Sequence, residues 1–167
     1  MLAARIGAAW NGTAIALPPH AGREGNRNSH HFAERRLQLV ARVLLLDDEP
    51  SIRFVISEIL EDAGFETVVV ESGELALEQL RQGEPVDVIM VDLLMRGMTG
   101  KEFLNHVRAV PAWANIPAIL MTGAMYARDI FPAPASYQAM LQKPFKLRDV
   151  VETVEGVLSI MPAHSRS

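Results

Sequence analysis

From Val40 onward the chain alternates between two patterns of apolar residues. Five short runs, "ARVLLLDDE", "FETVVVE", "VDVIMVD", "AILMT" and a weaker "YQAMLQ", have the length of strands. Several are apolar throughout, the mark of strands covered on both faces. Between them lie stretches with a helical period. In "PSIRFVISEILEDAG", Ile52, Val55, Ile56, Ile59, Leu60 and Ala63 share one face. Pro50 suits the first turn of that helix and Gly64 the left-handed position after its last. "SGELALEQLRQG" predicts a second helix, capped by Ser72 and stopped by Gly83. Thr99-x-x-Glu102 has the form of a capping box and opens "GKEFLNHVRAV". "KLRDVVETVEGVL" ends the series, with Leu147, Val150, Val151, Val154, Val157 and Leu158 on one face. Strands alternating with helices predict an α/β fold, a doubly wound five-stranded parallel sheet of order 2-1-3-4-5.

The same pattern sets the domain limits: residues 40–160 form one folded domain. Residues 1–39 are expected to be a disordered or loosely attached N-terminal extension, rich in Gly, Pro, Asn and His, and residues 161–167 a flexible C-terminal tail. His30-His31 has no third ligand at metal-binding spacing, so a solvated tail is expected there. The opening "MLAARIGAAWNGTAIALPPHAG" loosely mimics a signal peptide, but Asn11-Gly12-Thr13 interrupts it and no small-x-small cleavage site follows. Val40 reads like a natural start, so residues 1–39 are either an over-extended gene start or a genuine extension.

Composition narrows the classes of function. A 49% hydrophobic content can build a proper core. With no cysteine there is no disulfide frame, thiolate nucleophile or cysteine-bound zinc, which suits a cytoplasmic setting. Residues 1–40 carry a net charge of +3 and the remainder −7. An acidic body argues against direct nucleic-acid binding, and no apolar run is long enough to span a membrane.

In a sheet of this order, ligands bind outside the carboxyl ends of the strands. Strand one delivers Asp47, Asp48 and Glu49 there, strand three Asp92, strand four Thr122, and strand five Lys143-Pro144. Clustered carboxylates repel unless a cation sits among them, and oxygen-only ligands favour Mg2+ over Ca2+. That outlines a phosphoryl-transfer site. Asp92 is then the nucleophile that forms an aspartyl phosphate, with Asp48 and Asp92 binding Mg2+ directly and Asp47 acting through water. Lys143 pairs with the phosphoryl group as a point charge, and the Thr122 hydroxyl donates to a phosphoryl oxygen.

With "VLLLDDEPSIR", "VDLLMRGMTG", "ILMTG" and "LQKPF", the chain resembles the receiver domain of two-component response regulators, a flavodoxin-like fold. The separations also match: 44 residues from Asp48 to Asp92, 30 to Thr122 and 21 to Lys143. The resemblance covers about Ala41 to Leu158. It implies a sensor histidine kinase or histidine phosphotransfer protein as donor and a cis Lys143-Pro144 bond. Because "SIMPAHSRS" after Leu158 is too short to fold alone, a stand-alone receiver that signals to a protein target is expected. The candidate metal ligands are Asp47, Asp48, Asp92 and the backbone carbonyl of Leu94.

Three positions depart from the family pattern. Arg96 stands where the family usually has proline, so it is either a tolerated loop change or a contact to the phosphoryl group or donor kinase. Met140 takes the place of the aromatic switch residue, with Tyr137 as a substitute. "AMYARDIFPAPASYQ" replaces the usual fourth helix, because Pro132 and Pro134 leave at best a short helix over Ala124 to Ile130. Receivers use that face for dimerising or binding targets. Met125, Tyr126, Ile130 and Phe131 are therefore candidate anchors for a partner or a second copy, or else pack on the domain's own core. Leu94 and Ala124 flank the site and cannot orient a water, which predicts slow self-dephosphorylation.

Two other classes compete. A pseudo-receiver binding module would not use the phosphate chemistry. A phosphatase on a similar sheet would commonly carry a second acid at the position of Leu94.

Overall fold

In the computed structural model, which describes residues 40–123 and 130–160, the five apolar runs form strands β1 (Arg42–Leu46), β2 (Glu66–Val70), β3 (Val88–Asp92), β4 (Ala118–Thr122) and β5 (Ala139–Gln142). All neighbours are parallel, in the order β2-β1-β3-β4-β5. β3 and β4 are buried along their whole length, and β1 at every residue but its first. The edge strands are more open, with Glu66 and Val69 exposed in β2 and Met140 and Gln142 in β5. Continuous apolar sequence is thus confined to strands covered on both faces.

Four helices complete the layers: α1 (Pro50–Asp62), α2 (Gly73–Arg81), α3 (Gly100–Ala109) and α4 (Leu147–Ile160). Because side chains alternate along a strand, the sheet splits its residues between two cores. Val43, Leu45, Val88, Met90, Ile119 and Met121 pack with Ile56 and Leu60 of α1 and Val150, Val154 and Val157 of α4. Leu44, Leu46, Ile89, Val91, Ala118 and Leu120 pack with Ala76, Leu77 and Leu80 of α2 and Phe103, Leu104 and Val107 of α3.

The helix ends follow the expected chemistry. Ser72 accepts from the Leu75 N–H, and Thr99 and Glu102 form a reciprocal capping box. Gly64 and Gly83 take positive φ just beyond α1 and α2. The helical faces are narrower than the periodicity implied. Val55 and Leu147 are exposed, and Ala63 lies past the end of α1. Phe54, outside the expected face, is exposed as well.

Between β4 and β5 the described residues include a 3-10 turn, Pro134–Ser136. The expected short helix over Ala124 to Ile130 falls almost wholly outside the described residues. Arg108 of α3 ties this segment down. Its Nε and Nη2 donate to the Ser136 carbonyl at 3.1 and 2.7 Å, and Nη1 donates to the carbonyls of Ala114 (3.2 Å) and Ile116 (2.8 Å). Ile130, Phe131 and Tyr137 are half-buried against the core beneath α2 and α3. Among the described residues, no helix is long and apolar enough to cross a membrane.

Candidate functional site

At the carboxyl end of the sheet, Asp47 leaves β1 and Asp92 ends β3, and both are buried. Lys143, just past β5, reaches between them. Its Nζ lies 2.6 Å from Asp47 Oδ2 and 2.8 Å from Asp92 Oδ1. The Lys143–Pro144 bond is cis, and the Lys143 N–H donates to the Thr122 carbonyl at 2.7 Å, which fixes the lysine's approach. Thr122 ends β4 and is buried beside the strand that carries Asp92.

Each acid is also held by the backbone. Asp47 Oδ1 accepts from the Glu49 N–H at 2.9 Å, and Asp92 Oδ2 from the Leu94 N–H at 3.1 Å. α3 starts so close beneath β3 that a Cβ on Gly100 would collide with the Asp92 carbonyl oxygen and lie 3.1 Å from Leu93 Cα. Only glycine permits that approach. Arg53 was not singled out from the sequence. Its Nη1 donates to the Asp47 carbonyl at 2.6 Å and its Nη2 lies 3.5 Å from Glu71 Oε2. A lone arginine on the first turn of a helix carries no signal of that role.

Two carboxylates share one ammonium, so negative charge is in excess. Burial pushes the Asp92 carboxyl above the usual carboxylate range; Lys143 pulls it down without cancelling that, and the Asp47 charge adds to the rise. For Lys143, burial alone would lower the value, but hydrogen bonds to Asp47 and Asp92 outweigh it and hold the ammonium above its ordinary range.

Asp48 sits at the rim and is engaged differently. Its Oδ2 accepts from the Arg96 N–H at 3.2 Å and from Arg96 Nε at 3.1 Å. Burial would raise this carboxyl, but the backbone and guanidinium of Arg96 prevail and hold it below the usual range. Arg96 therefore meets a carboxylate of the site, a contact not anticipated for it.

Among the described residues, no three His, Cys, Asp or Glu side chains converge as a metal centre requires. The donor chemistry still fits a hard divalent cation. The acids offer only oxygen, Asp47 and Asp92 have one ammonium between them, and Asp48 lies next to Asp47 in the chain. Leu94, whose carbonyl completes the candidate set, is exposed and apolar.

The described candidate switch and partner residues differ in exposure. Met140 on β5 is 49% exposed, whereas Tyr137 and Phe131 lie half-buried against the domain's own core. Met125, Tyr126 and Ala124 lie outside the described residues.

Comparison with known proteins matches residues 43–155 to the response regulator receiver domain. The DNA-binding response regulator MtrA of Mycolicibacterium smegmatis is 29% identical over 118 residues, covering 70% of this chain and 50% of that protein. The phosphate regulon transcriptional regulatory protein PhoB of Escherichia coli is 26% identical over 121 residues, covering 72% of this chain and 52% of its own. The chain thus spans about half the length of these curated relatives. Among solved structures, the chemotaxis response regulator CheY4 of Vibrio cholerae superposes with a TM-score of 0.65 at 31% identity, covering 71% of this chain and 99% of that one.

Proposed function

The chain belongs to the response regulator receiver family, and on that footing we propose that it accepts a phosphoryl group on Asp92 from a histidine kinase or histidine phosphotransfer protein. The observation that carries the reading is the buried Asp92 carboxylate, held 2.8 Å from Lys143 Nζ at the open end of the sheet. A carboxylate oxygen of Asp92 forms its bond to phosphorus as the phosphorus–nitrogen bond of the donor's phosphohistidine breaks. Lys143 is placed to follow the charge onto the phosphoryl oxygens, and Thr122, at the end of the neighbouring strand, to donate to one of them. Asp47, Asp48, Asp92 and the Leu94 carbonyl would hold Mg2+. When bound, that ion supplies charge neutralisation at the phosphoryl group.

The chain would then signal by protein–protein contact in the cytoplasm, as a regulator rather than a turnover enzyme. Leu94 offers no hydrogen bond to an attacking water, which favours a long-lived aspartyl phosphate. The test is incubation with Mg2+ and a small phosphodonor such as acetyl phosphate, followed by intact mass. The wild type should gain one phosphoryl group and Asp92→Ala none. A wild type that gains nothing would reduce the chain to a binding module on a receiver fold.

A further inference from the structure

Of the three acids at the site, two already share Lys143 and the third, Asp48, is already met by Arg96. The Arg96 contact is two-pronged: N–H and Nε both donate to the same oxygen, Oδ2. It is also loosely seated, since the Arg96 side chain is 88% exposed and that of Asp48 25%. Exposed pairs of this kind are weak and readily exchanged. A divalent cation drawn to Asp48 would arrive against a guanidinium already sharing that carboxylate, and like charges at such range repel.

Building on the Mg2+ reading above, we propose that Arg96 is an internal rival for the metal. It occupies Asp48 while the site is empty, lowers the site's affinity for Mg2+, and is released into solvent when the ion binds. Arg96 is thus an affinity-setting residue that touches a metal ligand without being one. Two consequences separate it from a tolerated loop change. Metal affinity should rise when the guanidinium is removed, and the guanidinium should change its surroundings when metal is added.

The experiment is calorimetric titration of the full chain with MgCl2 at fixed ionic strength, for wild type, Arg96→Ala, Asp48→Asn and the double variant. Arg96→Ala should bind Mg2+ about two- to fivefold more tightly than wild type, the range set by one exposed ion pair. In the Asp48→Asn background the same substitution should change nothing, because the rivalry runs through that carboxylate. Independently, the 15N–1H signal of Arg96 Nε should shift on adding MgCl2 to the wild type, a readout that needs no phosphorylation. Equal or weaker binding by Arg96→Ala, or an equal gain in the Asp48→Asn background, overturns the proposal and leaves the metal site standing. Absence of binding to both wild type and Arg96→Ala overturns the metal reading itself, and the rivalry with it.

Discussion

Two cations are set into this domain in opposite ways, one at each end of the same sheet edge. Lys143 stands between two carboxylates, Asp47 and Asp92, and burial fails to lower its value because both acids hold its proton. Arg108 stands among neutral carbonyls, those of Ser136, Ala114 and Ile116, and burial holds its value below the ordinary one. Arg108 uses a rigid fork to donate four hydrogen bonds to three backbone carbonyls, and those bonds tie its segment in place. Lys143 is a single point charge facing two acids, so its surroundings keep an unmet demand for positive charge. The first arrangement holds a shape; the second is poised to bind.

The largest effect should come from breaking the closed arrangement. Arg108→Ala leaves three carbonyls without their donor and should cost about 3 kcal/mol in denaturant unfolding. The loss should also show as faster amide exchange at Gln138, whose N–H donates to the Ala118 carbonyl beside the turn. Arg108→Lys should recover only a small part, since one ammonium cannot span three carbonyls. Full recovery by lysine would mean that charge, and not the fork, fixes the turn.

A smaller and pH-dependent loss is expected at the other cation. Lys143→Met leaves two buried acids facing each other and should cost about 2 kcal/mol near neutral pH without metal. The deficit should shrink as pH falls through the carboxylate range, because protonated acids no longer need a partner. Added Mg2+ should offset part of it at neutral pH. A deficit equal at acid and neutral pH would mean that the lysine's packing matters and its charge does not.

These two regions also differ in how far the sequence disclosed them. Every acid of the site stands at the end of an apolar run, so Asp47, Asp92, Thr122 and Lys143 could be placed together from strand order alone. Nothing local marks Arg108, whose partners lie up to 28 residues away in an irregular segment. Arg96 is similar: its proline-replacing position was visible, but its contact with Asp48 spans 48 residues between two loops. Periodicity likewise showed which residues share a helical face, but not how much of that face is covered: Val55 and Leu147 are exposed. The edge strands read more weakly than the central ones because only one side of each is paired.

The finest test of the contrast is to lower the demand for positive charge around Lys143 without removing the lysine. The Asp92 carboxyl is raised by burial, so the folded chain keeps a proton that the unfolded chain has already released. Stability from that group is therefore present at low pH and is lost as pH climbs from the ordinary carboxylate range through the raised value. Asp92→Asn keeps the shape and cannot ionise, so it should be more stable than wild type near neutral pH, by less than either loss above. The gap should close as pH falls below the ordinary carboxylate range, where the wild-type acid is protonated in both states. Thermal unfolding of the two chains across that pH series without Mg2+ measures it directly. A variant no more stable than wild type at neutral pH would mean that Lys143 already satisfies both acids, and the two cations would then differ only in the atoms they touch.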